Sequence, residues 1–236
     1  MKLFKTISLN LIWLCLMAAS ISAQTVKPVI AELGNPAKGR IEYYNDSLTP
    51  LNVVLEPKSF TVSETGEISY RPLDSTIHLK LSTTSFRIPP QQSYYVFYEA
   101  DADAAPGWFV IYAAFSGFPF RTQQGMNIRL ELPHTVYLLP KKSLGKSEVL
   151  VDRLEFKPAE KKLIVEVENT SETFGRVQQT IVDFGKKKQE APGFPIFPHG
   201  KRIMEIPLEG NETPTSVVLQ FQDFKVEEKL QASKTP

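Results

Sequence analysis

The chain has 236 residues, 42% of them hydrophobic and 22% charged, with 27 basic against 26 acidic side chains and one cysteine. A balance this near neutral leaves no electrostatic footprint for nucleic acid or an anionic membrane. One thiol makes no internal disulfide, and the length admits one large domain or two ordinary ones.

Residues 1–23 read as a secretory signal peptide. Lys2 and Lys5 open it, residues 7–19 are mostly apolar, and Ser20-Ile21-Ser22-Ala23 closes it on small residues. Ser8 and Asn10 interrupt an apolar run that is already short for a membrane span. Trp13-Leu14 before Cys15 lacks the small residue expected ahead of a lipid-attachment cysteine. Cleavage after Ala23 removes Lys2, Lys5 and the thiol; 27 basic side chains less 2 leaves 25 against 26 acidic, a net charge of −1. A secreted chain with no disulfide must hold itself together by burial, which suits a bacterial periplasm.

In chain order the remainder reads as short strands and turns. Residues 24–33 are an extended lead-in, closed by the turn signal Gly34-Asn35-Pro36. Residues 39–44 form a strand ending at Asn45-Asp46-Ser47, and residues 51–56 form another, stopped by Pro57. Residues 59–62 and 68–70 flank a hairpin-type turn at Glu64-Thr65-Gly66-Glu67. Residues 76–81 alternate Ile77, Leu79 and Leu81 with polar neighbours. Pro89-Pro90-Gln91-Gln92 turns into the aromatic strand 93–99, and after a small-residue loop comes 108–115, apolar on both faces and so a central strand. Trp108 is placed in the core.

The clearest pattern lies at residues 126–132. Met126, Ile128, Leu130 and Leu132 fall on one face, and Asn127, Arg129 and Glu131 on the other, as a half-buried strand requires. Beyond Pro133 the chain is apolar again through Leu139. Pro133 cannot donate to a ladder, so it should lie at an edge, a bulge or a bend. A long strand with an apolar stripe and a proline in its middle is a candidate edge strand, a template for another chain. The same stripe also fits simple packing into the protein's own core.

Residues 140–147 are polar and basic, and a domain boundary is placed there. The β pattern restarts at 149–156, 162–167, 175–184, 202–208 and 216–226, with a Pro-rich segment at 192–198 and a fraying tail from 227. Three Asn-x-Ser/Thr sites begin at Asn45, Asn169 and Asn211 and would matter only in a eukaryotic secretory route. Turn signals every 8–12 residues with no helical periodicity argue an all-β sandwich or barrel.

Motifs of catalysis are absent. His78, His134 and His199 lie far apart with no ligand spacing, so neither a metal nor another cofactor is expected. No Gly-x-Ser-x-Gly, phosphate-binding or dinucleotide motif occurs, and Asp101 with Asp103 reads as an acidic loop tip. The chain is expected not to be an enzyme.

The segment Ile88-Pro89-Pro90-Gln91-Gln92-Ser93, then Val96-Phe97-Tyr98, then residues 107–112, then Ile128-Arg129-Leu130 ending in Val136-Tyr137-Leu138-Leu139-Pro140, resembles the first domain of periplasmic pilus-assembly chaperones, the PapD-like family. Residues 39–45 and Pro50-Leu51-Asn52-Val53 are similar to that family's second and third strands. The resemblance covers about residues 27–140. It implies two immunoglobulin-like β-sandwich domains, at residues 24–140 and 147–228, joined by a linker at 141–146 and followed by a tail at 229–236. It implies a pilus-type or other secreted subunit as partner, bound by strand donation, with Met126, Ile128, Leu130 and Leu132 as the lending face. The family also anchors its partner's terminal carboxylate with two cleft cations. The matching positions here are Val29 and Thr135, neither charged, with Lys27 two residues before Val29 as a possible cleft cation. The alternatives are a structural or adhesion-type protein of the same fold and, on the aromatic density of residues 94–98 and Trp108, a carbohydrate-binding or hydrolytic sandwich.

Overall fold

A computed structural model describes residues 24–117, 130–210 and 212–230. The leader expected at residues 1–23, Met126, Ile128 and Asn211 lie outside the described residues. The strands are β1 (Thr25–Lys27), β2 (Ile30–Gly34), β3 (Ala37–Asn45), β4 (Leu51–Val62), β5 (Ile68–Pro72), β6 (Ile77–Leu81), β7 (Ser85–Ile88), β8 (Gln92–Ala102), β9 (Gly107–Ser116) and β10 (Leu130–Leu139). After a 3-10 turn at Lys146–Glu148 come β11 (Val149–Lys157), a second 3-10 turn at Pro158–Glu160, β12 (Lys162–Asn169), β13 (Gly175–Asp183), β14 (Lys188–Ile196), β15 (Lys201–Pro207), β16 (Ser216–Gln220) and β17 (Lys225–Lys229).

These strands make two sandwiches. In the first, sheet I has the order β1-β3-β8-β6 and sheet II the order β2-β10-β9-β4-β5, with β7 also on β4. In the second, sheet III is β11-β12-β15 and sheet IV is β14-β13-β16-β17. Each sandwich buries its own core, with Ile41, Tyr43, Phe109 and Phe115 in the first and Leu163, Val177, Val217 and Leu219 in the second. Alternation of buried and exposed residues along β8, from Val96 to Ala102, is the period-two pattern of a strand with one wet face. Strand β9 is buried almost throughout, as its apolar composition demands.

Several expectations need correction. Pro57 does not end its strand; β4 runs through it to Val62. Leu55 donates its N–H to Thr84 O on the β7 side at 2.8 Å. Backbone direction repeats every second residue, so Pro57 presents its donorless nitrogen to the same side. There β7 has ended opposite Val54 and β5 begins only at Lys58, so no ladder bond is lost. Residues 216–226 are not one strand, because Phe221 N–H bonds Phe224 O at 2.9 Å and closes a hairpin between β16 and β17. Hence β17 continues to Lys229, past the expected start of the tail. Trp108 is only partly buried and belongs to no single core: its Nε1 donates to Phe60 O at 2.9 Å and its ring lies 4.7 Å from Phe197 of the second sandwich.

The sandwiches meet through a third apolar cluster, Phe60, Val110, Tyr137 and Phe174, with Trp108 and Phe197 packed on it. The turn between β4 and β5 docks onto β15, where Ile203 N–H donates to Glu64 O at 2.7 Å.

Candidate functional site

The stretch singled out in the sequence becomes β10, and its two halves have different neighbours. On one side β9 pairs with it along its length, from Leu130 opposite Phe115 to Leu138 opposite Gly107. On the other side β2 joins in parallel only from Thr135, opposite Ile30. The edge-strand expectation therefore fails over residues 135–139, where β10 is internal. Among the described residues no strand pairs with the outer edge over residues 130–133. Thr135 N–H donates to Val29 O at 2.8 Å, so the backbone of Pro133, two residues earlier, faces that outer edge. Among the described residues no strand lies on that edge to accept a bond from position 133, which is where proline is tolerated.

Leu130 and Leu132 point to the core side and pack on the first core while staying partly exposed. Next on the same face, His134 is fully buried. Its Nδ1 lies 2.6 Å from Pro28 O, which can only accept, so Nδ1 carries the hydrogen. Nε2 then accepts from Tyr98 Oη at 3.3 Å. Burial lowers the His134 pKa against the opposing bond to Pro28, and burial pushes the Tyr98 hydroxyl up to about 12. Both groups stay neutral and pin the chain at Pro28 to β10.

The opposite face of β10 looks into a cleft between the sandwiches. A cavity of about 340 Å³ lies there, lined by Ile30, Phe60, Tyr70, Thr135, Arg176 and Arg202 among others. Val29 and Thr135 meet at its edge through their backbones, with no charge on either. Lys27 does not line it: β1 belongs to sheet I, with Lys27 opposite Glu42, and the chain crosses to sheet II at Pro28 and Val29.

The cations of the cleft come from the second sandwich. Arg176, on β13, pairs through Nε with Glu32 of β2. Its guanidinium stands 5.0 Å from the centre of the Tyr137 ring and 5.6 Å from that of Phe174, in cation–π contact with two rings that stack on each other at 4.4 Å. Burial works against its charge most strongly, but Glu32 and Tyr137 outweigh this and hold the pKa above its ordinary value. Arg202, on β15, reaches Ser63 O at 3.3 Å and Glu64 O at 3.5 Å with Nη1. Among the described residues no carboxylate lies within ion-pair distance of it, and burial lowers its pKa. Arg176 Nη2 and Arg202 Nε are buried with no hydrogen-bond partner. Such donors are costly to leave unmade, and a carboxylate is the group that fits them best.

Known structures share this architecture. The chaperone YadV matches 88% of this chain and 99% of its own, at 11% identity and TM-score 0.56. The CsuC–CsuE chaperone–subunit complex of Acinetobacter baumannii matches 87% and 98%, at 10% identity and TM-score 0.53. The SafA pilin–SafB chaperone complex of Salmonella enterica matches 90% and 99%, at 11% identity and TM-score 0.51.

The fold is that of the PapD-like pilus chaperones.

No protein-family model matches the sequence, and no curated protein does. Within the PapD-like frame, β10 is the long strand that closes the first domain. Sequence reasoning missed Arg176 and Arg202, since each is a single basic residue in an ordinary strand. Elsewhere, His78 and His199 sit at the surface beside Asp103 and Glu172, each at 2.8 Å. Among the described residues no group of three or more His, Cys, Asp or Glu side chains could hold a metal ion.

Proposed function

We propose that this protein is a periplasmic chaperone of the pilus-assembly type, delivered by the leader at residues 1–23, that binds a secreted subunit by strand addition rather than by catalysis. The guest strand lies on the outer edge of β10, and Met126, Ile128, Leu130 and Leu132 form the lending face. One observation carries the reading: β2 covers that edge only from Thr135, so the edge before Thr135 has no described strand beside it and leads directly into the cleft. Backbone bonds along the edge would give affinity and the apolar stripe selectivity. Two proteins of this fold are themselves described with a pilin or an adhesion subunit.

A guest strand on this edge cannot pass Thr135, whose N–H is already held by Val29 O. A guest parallel to β10 brings its carboxyl end to that point. The family positions Val29 and Thr135 supply no cation, and the anchoring role passes to Arg176 and Arg202 of the second sandwich.

The test is binding of a synthetic peptide of alternating apolar residues with a free carboxyl end, followed by calorimetry. The Leu130→Glu/Leu132→Glu double variant should lose binding by about tenfold or more. Phe97→Glu, on the exposed face of sheet I, should bind as the parent does. Equal loss in both variants, or in neither, would sink the reading. It would then favour a structural role for the fold, with the stripe sealed in its own core as the partial packing of Leu130 and Leu132 allows.

A further inference from the structure

Strand addition on β10 makes no use of the outer face of sheet I. Side chains alternate along β8, so Tyr95, Phe97, Glu99 and Asp101 face solvent while Val96, Tyr98 and Ala100 fill the core. Tyr95 and Phe97 are 43% and 58% exposed. Of the three aromatic side chains exposed among the described residues, these two stand next to each other on one face, about 7 Å apart along the strand. Tyr95 Oη donates to Glu42 Oε1 at 3.3 Å, and the Arg40 guanidinium stands 5.0 Å from the centre of its ring. Phe97 N–H donates to Ser82 Oγ at 3.1 Å, and Ser82 N–H donates to Phe97 O at 2.9 Å. These contacts hold the Tyr95 ring and the Phe97 backbone in place before any ligand arrives. Beyond Phe97 lie two adjoining cavities of about 250 and 550 Å³, both lined by Lys38, Lys80 and Glu99. Phe97 borders the smaller and Asp101 the larger. Lys38 pairs with Glu99 at 2.8 Å, directly opposite it in register. Among the described residues Lys80 and Asp101 have no counterion within ion-pair distance. The face thus presents two aromatic side chains, then a free ammonium and a free carboxylate, with cations and anions in balance.

A protein partner fits this face poorly. A dry interface would strip water from Arg40, Glu42, Lys38, Glu99 and Lys80 around the rings, whereas the centres of protein interfaces are depleted of charge. A nucleic acid fits poorly because carboxylates match the cations that its phosphates would need. A sugar chain suits both halves. The C–H face of a pyranose packs on an aromatic ring, and its hydroxyls both donate and accept, so they replace water on ammonium and carboxylate alike. Neighbouring rings on a flat sheet face favour an extended ribbon of sugars over a coiled one. We infer that the outer face of sheet I binds a neutral β-1,4-linked glycan, with sugars packed on Tyr95 and Phe97 and hydroxyls bonded to Lys80 and Asp101. The site lies on the opposite sheet from β10 and needs no guest strand.

Calorimetry on the mature protein tests this with chitohexaose and cellohexaose, beside the α-1,4-linked maltohexaose and a heparin hexasaccharide. At least one β-1,4 hexamer should bind with a dissociation constant of about 1 mM or tighter, and about tenfold or more tightly than maltohexaose. Phe97→Ala, and independently Tyr95→Ala, should weaken that binding by about tenfold. Both changes are at exposed positions and leave the cores intact. Lys80→Ala should weaken it by a smaller factor, and the Leu130→Glu/Leu132→Glu double variant should bind the glycan as the parent does. If neither β-1,4 hexamer binds at concentrations up to about 10 mM, the inference fails. If maltohexaose binds as tightly, the face does not select an extended chain and the inference fails. Preference for the heparin fragment would make the face a cationic patch and overturn it. Binding that survives both aromatic variants, or is lost in the β10 double variant, would place the glycan elsewhere and overturn it as well.

Discussion

Two asparagines do the same work in the two sandwiches. Asn45 ends β3 and Asn169 ends β12, each opening an Asn-x-Ser-x-Thr corner. Asn45 Nδ2 donates to Thr49 O at 2.8 Å, and its Oδ1 accepts from Ser47 N–H at 3.0 Å and Ser47 Oγ at 2.6 Å. Asn169 repeats this with Thr173 O at 2.7 Å and Ser171 N–H and Oγ at 3.0 and 2.8 Å. Both residues are fully buried, so neither amide is open to modification in the folded chain. Asn45→Ala and Asn169→Ala should each cost on the order of 3 kcal/mol in denaturant unfolding, because several buried backbone groups lose their partner at once; a cost below about 1 kcal/mol would contradict this account. His134 gives a pH signature. Its folded pKa is lowered below 6.5, so above that value it is neutral in both folded and unfolded chains and adds no pH dependence. As pH falls through 6.5 the unfolded chain takes a proton that the folded one refuses, and stability drops. His134→Gln should lower stability at pH 7 and flatten the decline between about pH 6.5 and 5. An unchanged decline would assign it to other groups.

At the scale of elements, the prolines show what a sequence pattern can and cannot convey. Alternation made β6, β8 and the start of β10 legible, because side-chain direction is a local property of a strand. The orientation of a backbone nitrogen toward or away from a neighbour is not local. Pro57 read as a stop, yet it sits where β7 has ended and β5 has not begun. Pro57→Ala should therefore change stability by less than about 1 kcal/mol, while Leu55→Pro, two residues away on the same side, deletes the bond to Thr84 O and should cost about 3 kcal/mol. Thermal unfolding of the two variants checks the pair, and equal costs would refute the register. Strand β10 was legible as a strand but not in its pairing. That β2 joins it from Thr135 follows from the crossing of the lead-in between sheets at Pro28, and a single run of extended residues carries no mark of that.

At the scale of the whole molecule, the sandwiches are fastened by contacts distant in sequence, and this is where sequence reading had least purchase. Glu32 and Arg176 are 144 residues apart, and Arg202 is 139 residues from Ser63. Nothing local marks either arginine as part of a cleft. Gly66 lies at this junction with φ of +95°, where a Cβ would come within 1.9 Å of the Arg202 guanidinium. Gly66→Ala should strain the turn by about 1 kcal/mol and push the Arg202 head aside. It should weaken a carboxylate-ended peptide more than its amide; equal weakening of both would remove Arg202 from the anchor. The lead-in, both sandwiches and the cleft thus converge on one place, Thr135, where β2 begins to pair with β10.

The most direct measurement is hydrogen exchange on the mature protein, following residues 126–139 alone and with the alternating apolar peptide that ends in a free carboxylate. The Thr135 amide, bonded to Val29 O, serves as the internal standard and should be protected in both states. The account predicts that amides in residues 126–132 gain protection when the peptide is added. Slow exchange in both states would mean that the edge is already closed, and new protection confined to sheet I or to the second sandwich would place the guest elsewhere.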